Sequence, residues 1–243
     1  HGTHLHHVRF SVTAGEIVGI AGIAGNGQTE LMSALSGETG APGSGTIEIG
    51  KTDATRLRPM DRRQLGAVFV PEERIGQAAV SDLSLVQNSF LTSGKRMGFV
   101  SRGLIDWGAV SKFTDEILSQ FNVRATGGEA LARSLSGGNL QKFIVGREIL
   151  QQPKLLVVSQ PTWGVDAGAA AAIHEQIQLL VGEGAGALVI SQDLDEIFAL
   201  CDRIAVISQG TLSTPQPAHE VTVESVGLLM GASGAVEQER AHA

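Results

Sequence analysis

The stretch Ile17-Val-Gly-Ile-Ala-Gly-Ile-Ala-Gly-Asn-Gly-Gln-Thr29 decides the fold. Its first five residues, Ile17 to Ala21, carry no polar side chain, which suits a strand buried on both faces. A glycine-rich turn follows over Gly22 to Thr29, and then a helical run, Thr29 to Leu35. Strand, glycine loop and helix in this order fit the phosphate-binding pattern Gly-x4-Gly-Lys-Ser/Thr. Glycines let backbone N–H groups curl around an anion, and the helix N-terminus turns its positive dipole end toward it. Gly22, Gly27 and Thr29 stand in register with the pattern, with Gly25 and Asn26 inside the loop. Position 28 is Gln where Lys belongs. Gln28 can donate a neutral hydrogen bond but brings no positive charge to a phosphate. Taken alone, the stretch also reads as a plain glycine turn.

Moving outward, four more short runs are apolar throughout: Ala67 to Val70, Leu155 to Val158, Ala187 to Ile190 and Ile204 to Ile207. Helical spacing lies between some of them. Ile173, Ile177 and Leu180 form one apolar stripe, opened by Asp166 as a cap and closed by the glycines of Gly182 to Gly186. Strands alternating with helices predict a doubly wound α/β core with a mainly parallel sheet. Strand-like residues over Leu5 to Val12 add an N-terminal antiparallel β portion. From about Gln77 to Glu148 helical spacing dominates, with Ile117, Leu118 and Phe121 on one face. The expected organisation is an α/β core over 1–76 and 149–230, a helical subdomain over 77–148, and a small polar tail, Gly231 to Ala243, that frays. No internal repeat is visible.

The bulk numbers agree. A chain of 243 residues with 42% apolar content builds one large domain with a sizeable core. The net charge of −7 argues against nucleic acid as a partner, and ordinary solubility is the plainer reading of that charge. The single cysteine, Cys201, allows no intrachain disulfide and no Cys-based metal site, and fits a reducing compartment. No apolar run approaches the roughly 20 residues of a membrane-spanning helix, so any spanning falls to another subunit. The start at His1, without Met or a signal pattern, reads as a cut inside a longer protein. His1, His4, His6 and His7 read as a tag remnant, or less simply as a metal cluster.

Four further motifs carry chemistry. Leu135-Ser-Gly-Gly-Asn139 precedes Leu140, Gln141 and Lys142. Ser136 offers a hydroxyl, Gly137 and Gly138 expose N–H groups, and the following helix points its N-terminus at any anion there. A simple helix cap by Ser136 is the other reading. Leu155-Leu-Val-Val-Ser-Gln-Pro-Thr-Trp-Gly-Val-Asp166 opens with one strand run and continues past it, Ile190-Ser-Gln-Asp193 starts at the end of another, and Val70-Pro-Glu-Glu-Arg74 at the end of a third.

Together these motifs resemble the ATPase domains of ABC transporters, over about Phe10 to Met230. Val-Pro-Glu-x-Arg, Leu-Ser-Gly-Gly-Asn, Gln-Pro-Thr and the run Arg102 to Trp107 resemble the C-terminal half of tandem ATP-binding subunits in sugar- and nucleoside-type importers. The resemblance implies a P-loop (RecA-like) core, with ATP and Mg²⁺ as ligands. Gly22, Gly25, Asn26, Gly27, Gln28 and Thr29 would contact the nucleotide, Thr29 would also face the metal, and Glu72 takes the position of the Q-loop Gln. Ser136, Gly137, Gly138, Asn139 and Asp166 would serve ATP held by the opposite domain of a head-to-tail dimer.

Four positions depart from the catalytic pattern: Gln28 for Lys, Ser159 for the Mg²⁺-holding Asp, Gln160 for the Glu that polarises water, and Gln192 for the switch His. Gln cannot act as a base near neutral pH. The aromatic that stacks on adenine would fall at or before His1, and the chain has no Tyr. The expectation is a degenerate site whose signature completes a competent site on a first half of the same polypeptide. Permease subunits would be direct partners and an extracytoplasmic solute-binding protein an indirect one, at the cytoplasmic face of a membrane. The alternatives are a soluble ABC-fold ATPase or regulator without a transporter, a P-loop kinase of another class, and a fully active ATPase.

Overall fold

Burial on both faces turns the apolar runs into one sheet. The computed structural model describes residues 3–39 and 43–240, with side chains as far as 231. In chain order the elements are β1 (Ile17–Ala21), α1 (Gln28–Ser36), the hairpin β2 (Glu48–Ile49) and β3 (Thr52–Asp53), α2 (Pro59–Gln64) and β4 (Ala67–Val70). Next come α3 (Leu85–Ser93), a second hairpin β5 (Val100–Ser101) and β6 (Leu104–Ile105), α4 (Trp107–Gln120) and α5 (Gly137–Ile149). The chain ends through β7 (Leu155–Ser159), α6 (Ala167–Gly182), β8 (Gly186–Ser191), α7 (Leu194–Leu200), β9 (Arg203–Ser208), β10 (Thr211–Leu212), β11 (Gln216–Pro217) and α8 (Val223–Arg240). All five apolar runs are strands.

The main sheet has the order β10-β9-β1-β8-β7-β4, with β11 also against β9. β1 pairs in parallel with β8 (Ile17 opposite Ala187) and with β9, and β7 pairs in parallel with β8 and β4. Among the described residues, only β10 and β11 run antiparallel to it. Side chains alternate between two cores. Ile17, Ala21, Val68, Val70, Leu156 and Val158 face the layer of α3 to α8. Val18, Ile20, Ala67, Phe69, Val157 and Ile190 face α1 and the N-terminal segment. The two faces together explain why these strands read as unbroken apolar runs.

The expected N-terminal strand over Leu5 to Val12 is not a ladder. Among the described residues, antiparallel pairing in this part of the chain is confined to the hairpin β2–β3, and the segment keeps one bridge, His6 to Thr211. Its alternation is real: Leu5, Val8, Phe10 and Val12 pack on the second core while His6, His7, Arg9 and Ser11 are exposed. The pattern reports burial of one side, and among the described residues no neighbouring strand lies alongside to complete hydrogen-bonded pairing. The stretch expected to fray continues α8 as far as Arg240. Residues 241–243, and His1 of the histidine group, lie outside the described residues.

Helix α5 joins the helical middle of the chain to the sheet. It packs on α3 and α4 and also on α6 and β4. Near its end Glu148 is fully buried between two guanidiniums: Arg63 Nη1 donates to Oε2 at 2.5 Å and Arg147 Nε to Oε1 at 2.9 Å. Arg147 also donates to Asn88 O and Ala78 O, stitching α3 and the loop before it to α5. Burial alone would raise the Glu148 carboxyl, but the two arginines hold it below its ordinary range. Glu148→Gln leaves two buried cations without their counter-ion. It is expected to lower the unfolding free energy by about 3–5 kcal/mol, read from urea denaturation.

A second ion pair closes the opposite side of the sheet. Arg203 on β9 donates to Glu16 just before β1, and Thr13 donates to the same carboxylate through both its N–H (2.9 Å) and its hydroxyl (2.8 Å). The Arg203 hydrogen bond, aided by Thr13, holds Glu16 down at about 2 against an ordinary 4.5. A lowered folded-state pKa stabilises fully above the unfolded value and is lost as pH falls through the folded one. The wild type should therefore lose thermal stability between about pH 5 and pH 2 faster than Glu16→Gln, which has no such proton to take up. Parallel acid limbs of Tm against pH for the two proteins would contradict this.

Candidate functional site

Because β1, β4, β7 and β8 run parallel, their carboxyl ends share one edge, and the sequence motifs follow those ends. The loop after β1 enters α1 through Gly27, whose φ of 113° lies in the left-handed region open to glycine. Gly22 is required by packing. A Cβ there would fall 2.7 Å from Ile207 Cγ2 and 2.9 Å from Ile207 O on β9. The loop is also tied from outside. Thr3 Oγ1 donates to Gly25 O (2.7 Å), Gln209 N to Asn26 Oδ1 (2.8 Å) and Gly210 N to Asn26 O (2.9 Å). Inside the loop, Gln28 is 7% exposed. Its Nε2 donates to Ile23 O at 2.7 Å and its Oε1 accepts from Asn26 N at 3.2 Å.

Beside the loop lies a cleft of about 450 Å³. The structure brings three of the expected own-site positions into it: Thr29, Glu72 and Ser159. Glu73, Arg74 and Trp163 join them. Gln160 does not line the cleft. It is buried at the end of β7 with a φ of 51°, and its Oε1 accepts from Ser191 Oγ at 3.3 Å. Gln192 follows Ser191 at the end of β8, half-buried and outside the cleft lining.

The expected partner-serving residues form a separate group. Ser136 caps α5, accepting from Asn139 Nδ2 at 3.0 Å, and Asn139 Oδ1 accepts from Arg124 N at 2.9 Å. Ser136 and Gly137 are exposed at that helix N-terminus. Gly138 lies against Gly164 and Val165, which lead to Asp166. Asp166 caps α6 by accepting from Ala169 N at 3.0 Å, and that hydrogen bond lowers its pKa.

Two ties among these segments escaped the sequence. Arg74 Nε donates to Gln141 Oε1 at 3.0 Å, its Nη2 donates to Trp163 O, and Gln141 Nε2 donates to Pro161 O at 2.9 Å. One guanidinium thus links the loop after β4, the helix bearing Ser136 and the loop after β7. The only forewarning is Gln141 itself, a polar residue among Leu140, Phe143 and Ile144 on the buried side of α5. The second tie is Glu196 on α7, almost fully buried. Burial would raise its carboxyl, but it accepts from Thr162 Oγ1 at 2.6 Å and lies 3.0 Å from His174 Nε2, and these bonds, with one from Ser191, hold it low. No periodicity signals a partner 22 residues away in sequence.

The backbone of this loop suits a phosphate. The side chains around it differ from the catalytic pattern that the resemblance implies. The lysine charge is missing at Gln28, the metal carboxylate at Ser159 and the base at Gln160, while Glu72 and Glu73 bring two carboxylates to the cleft. No hydrolytic step is assigned to these residues.

Known proteins place the chain. The ABC transporter family profile matches residues 5–163. The nucleoside import ATP-binding protein NupA of Lactococcus lactis subsp. cremoris (strain MG1363) is 41% identical over 219 residues, 90% of this chain and 43% of that protein. The glucose import ATP-binding protein TsgD13 of Haloferax volcanii is 38% identical, over 95% of this chain and 42% of that protein. The chain therefore spans less than half the length of these relatives. Among solved structures, an ATP-binding subunit of an ABC transporter matches with a TM-score of 0.75 at 19% identity, over 93% of this chain and 92% of that one. The ATP-binding cassette MJ0796, a dimer in a post-hydrolysis state bound to ADP and Pi, matches at 0.72 and 21%, over 88% and 90%. With its glycine loop, its signature at the start of α5 and its parallel sheet in place, the chain belongs to the ABC transporter family as an ATP-binding domain.

Proposed function

We propose that this chain is the second ATPase half of an importer's ATP-binding subunit, one that moves a small polar solute such as a sugar or nucleoside. ABC ATPase domains bind ATP with Mg²⁺. In this reading the domain's own site is degenerate, and its Leu-Ser-Gly-Gly-Asn signature completes the ATP site of a partner domain, the first half of the same polypeptide. The supporting observation is a contrast. The changes at Gln28, Ser159, Gln160 and Gln192 all sit at the shared strand-end edge, on a loop backbone that is kept. The signature at Ser136 to Asn139 stands at a separate helix N-terminus, with Ser136 and Gly137 exposed. Import names among the relatives support the solute class and the permease partners, with an extracytoplasmic binding protein as an indirect partner. Among the described residues no helix is long and apolar enough to cross a membrane, which fits peripheral attachment at the cytoplasmic face through such permeases.

The helical stretch from Gln77 to Glu148 is the proposed docking surface for the permease. Of its aromatic and apolar residues, Phe99 belongs to the core, and Phe90 is half-buried with its ring 5.3 Å from that of Trp107. Leu91, Trp107, Val100 and Leu104 remain exposed, Leu104 by 76%. Crosslinkers placed at Leu91 and Leu104 should capture the permease in the assembled transporter. Capture only from the α/β core would refute docking here, and no capture from any position would favour the soluble regulator.

The degenerate-site reading is tested by ATPase activity of the assembled transporter. Gln28→Lys or Gln160→Glu alone should leave turnover unchanged, because the defects are serial and repairing one leaves the others limiting. Ser136→Arg or Gly138→Asp should lower turnover by at least about a hundredfold, since each puts bulk, and Asp also negative charge, where the partner's phosphate docks. Full turnover in the signature variants together with a clear gain in Gln160→Glu would sink the assignment.

A further inference from the structure

We infer that Gln28 is an internal ligand of the phosphate loop. Its carboxamide fills the anion nest of the free protein, and a nucleotide must expel it before a phosphate can enter. This rests on the reading of the site as weak, and it names the side chain that keeps it so.

Gln28 is a polar residue at the first position of α1, yet it is 7% exposed. Both ends of its carboxamide are used within the same loop. Oε1 accepts from the Asn26 N–H at 3.2 Å, and Nε2 donates to Ile23 O at 2.7 Å. An anion in a nest of this type is held by the loop's N–H groups. The Oε1 atom, an acceptor as a phosphate oxygen is, already takes one of them. The amide also lies close against the loop's first glycine: a Cβ on Gly22 would come within 2.7 Å of Gln28 Nε2.

Lysine at this position would have donors but no acceptor. It could reach Ile23 O but could not accept from the Asn26 N–H, whose remaining bond would be the one to Ile23 O at 3.2 Å. Glutamine does both. The substitution therefore removes a positive charge and also adds a competitor for the ligand's own hydrogen-bond partner. Apparent affinity is then the intrinsic affinity scaled by the fraction of molecules with Gln28 displaced.

The nest does not depend on Gln28 for its shape. Thr3, Gln209 and Gly210 hold Gly25 and Asn26 from the outer side, and Gly22 is wedged against Ile207. Truncating Gln28 should leave an open nest and not a collapsed one. The sign of the effect separates two roles. If Gln28 is a weakened phosphate ligand, its removal loosens binding. If it is a plug, removal tightens binding.

The test is calorimetry with MgADP and with inorganic phosphate on wild type, Gln28→Ala and Gln28→Ser, with circular dichroism confirming the fold. Both variants should bind each ligand more tightly than wild type, by about tenfold, the size set by the two hydrogen bonds no longer broken on entry. Equal or weaker binding in the folded variants would overturn the inference. In the free wild type, the Gln28 side-chain amide protons should be protected from exchange and lose that protection when MgADP is added. Free exchange without ligand would also overturn it, and this measurement needs no variant. Micromolar affinity in the wild type would defeat the weak-site reading. A weak wild type with no gain in either variant would defeat the plug alone.

Discussion

Burial of both faces of the parallel sheet is the constraint on which the rest of the molecule depends. Val18 and Ile20 point into one core and Ile17 and Ala21 into the other, so no strand position in β1 is free to carry chemistry. Polar function is forced out to the strand ends, and parallel pairing gathers those ends at one edge. Gly22, Pro71, Gln160 and Gln192 are each the first residue beyond an apolar strand or its last polar cap. A one-residue slip of β1 against β8 would exchange the two cores, so the register that satisfies burial also fixes where the loops begin.

That constraint explains what could be read in advance. A strand buried on both sides tolerates no polar interruption, so all five runs were visible as runs. The stripe Ile173, Ile177 and Leu180 gave α6 because one face of a helix repeats at 3.6 residues. Leu5 to Val12 misled because alternation shows which side is buried and is silent on whether another strand lies alongside. Phe99 went to the core while Leu91 and Trp107 stayed exposed, and composition does not distinguish them. Pairings across long separations left no local trace. Arg63 meets Glu148 85 residues away, and Arg74 meets Trp163 O 89 residues away. The departures at the nucleotide site were legible because a fixed pattern named each position. The orientation of Gln28 was not, since either end of a carboxamide could have faced outward.

The site's chemistry and its shape answer to different parts of the chain. Shape is set by backbone: Gly22 against Ile207, Gly27 in the left-handed region, and α1 seated in the core through Leu31 and Met32. The loop cannot relax without unseating that helix. Chemistry is set by side chains that the fold does not need. Gln28, Ser159, Gln160 and Gln192 occupy their places with the sheet register intact. A phosphate-loop backbone is therefore weak evidence for phosphate chemistry. The charges at the cleft are the more direct evidence, and they are mixed: Glu72 and Glu73 are acidic and Arg74 basic, while Gln28 in the loop is neutral.

If the own site is degenerate, as proposed, the same separation gives a reason for the scaffold to persist without its chemistry. The start of α5 is positioned from below by Arg74, which spans Gln141 and Trp163 O, and Gly138 rests on Gly164 and Val165. These supports belong to the loops after β4 and β7, the very loops that frame the domain's own cleft. Arg74 fills the space that a side chain at Gly137 or Gly164 would need, so the signature and the loop after β7 are packed around one guanidinium. Dismantling the framework of the own site would remove the support of Ser136 to Asn139. Replacing the reactive side chains within it would not. On the proposed reading, a domain retained for its signature is thus held to the architecture of a nucleotide site, whatever that site can still bind.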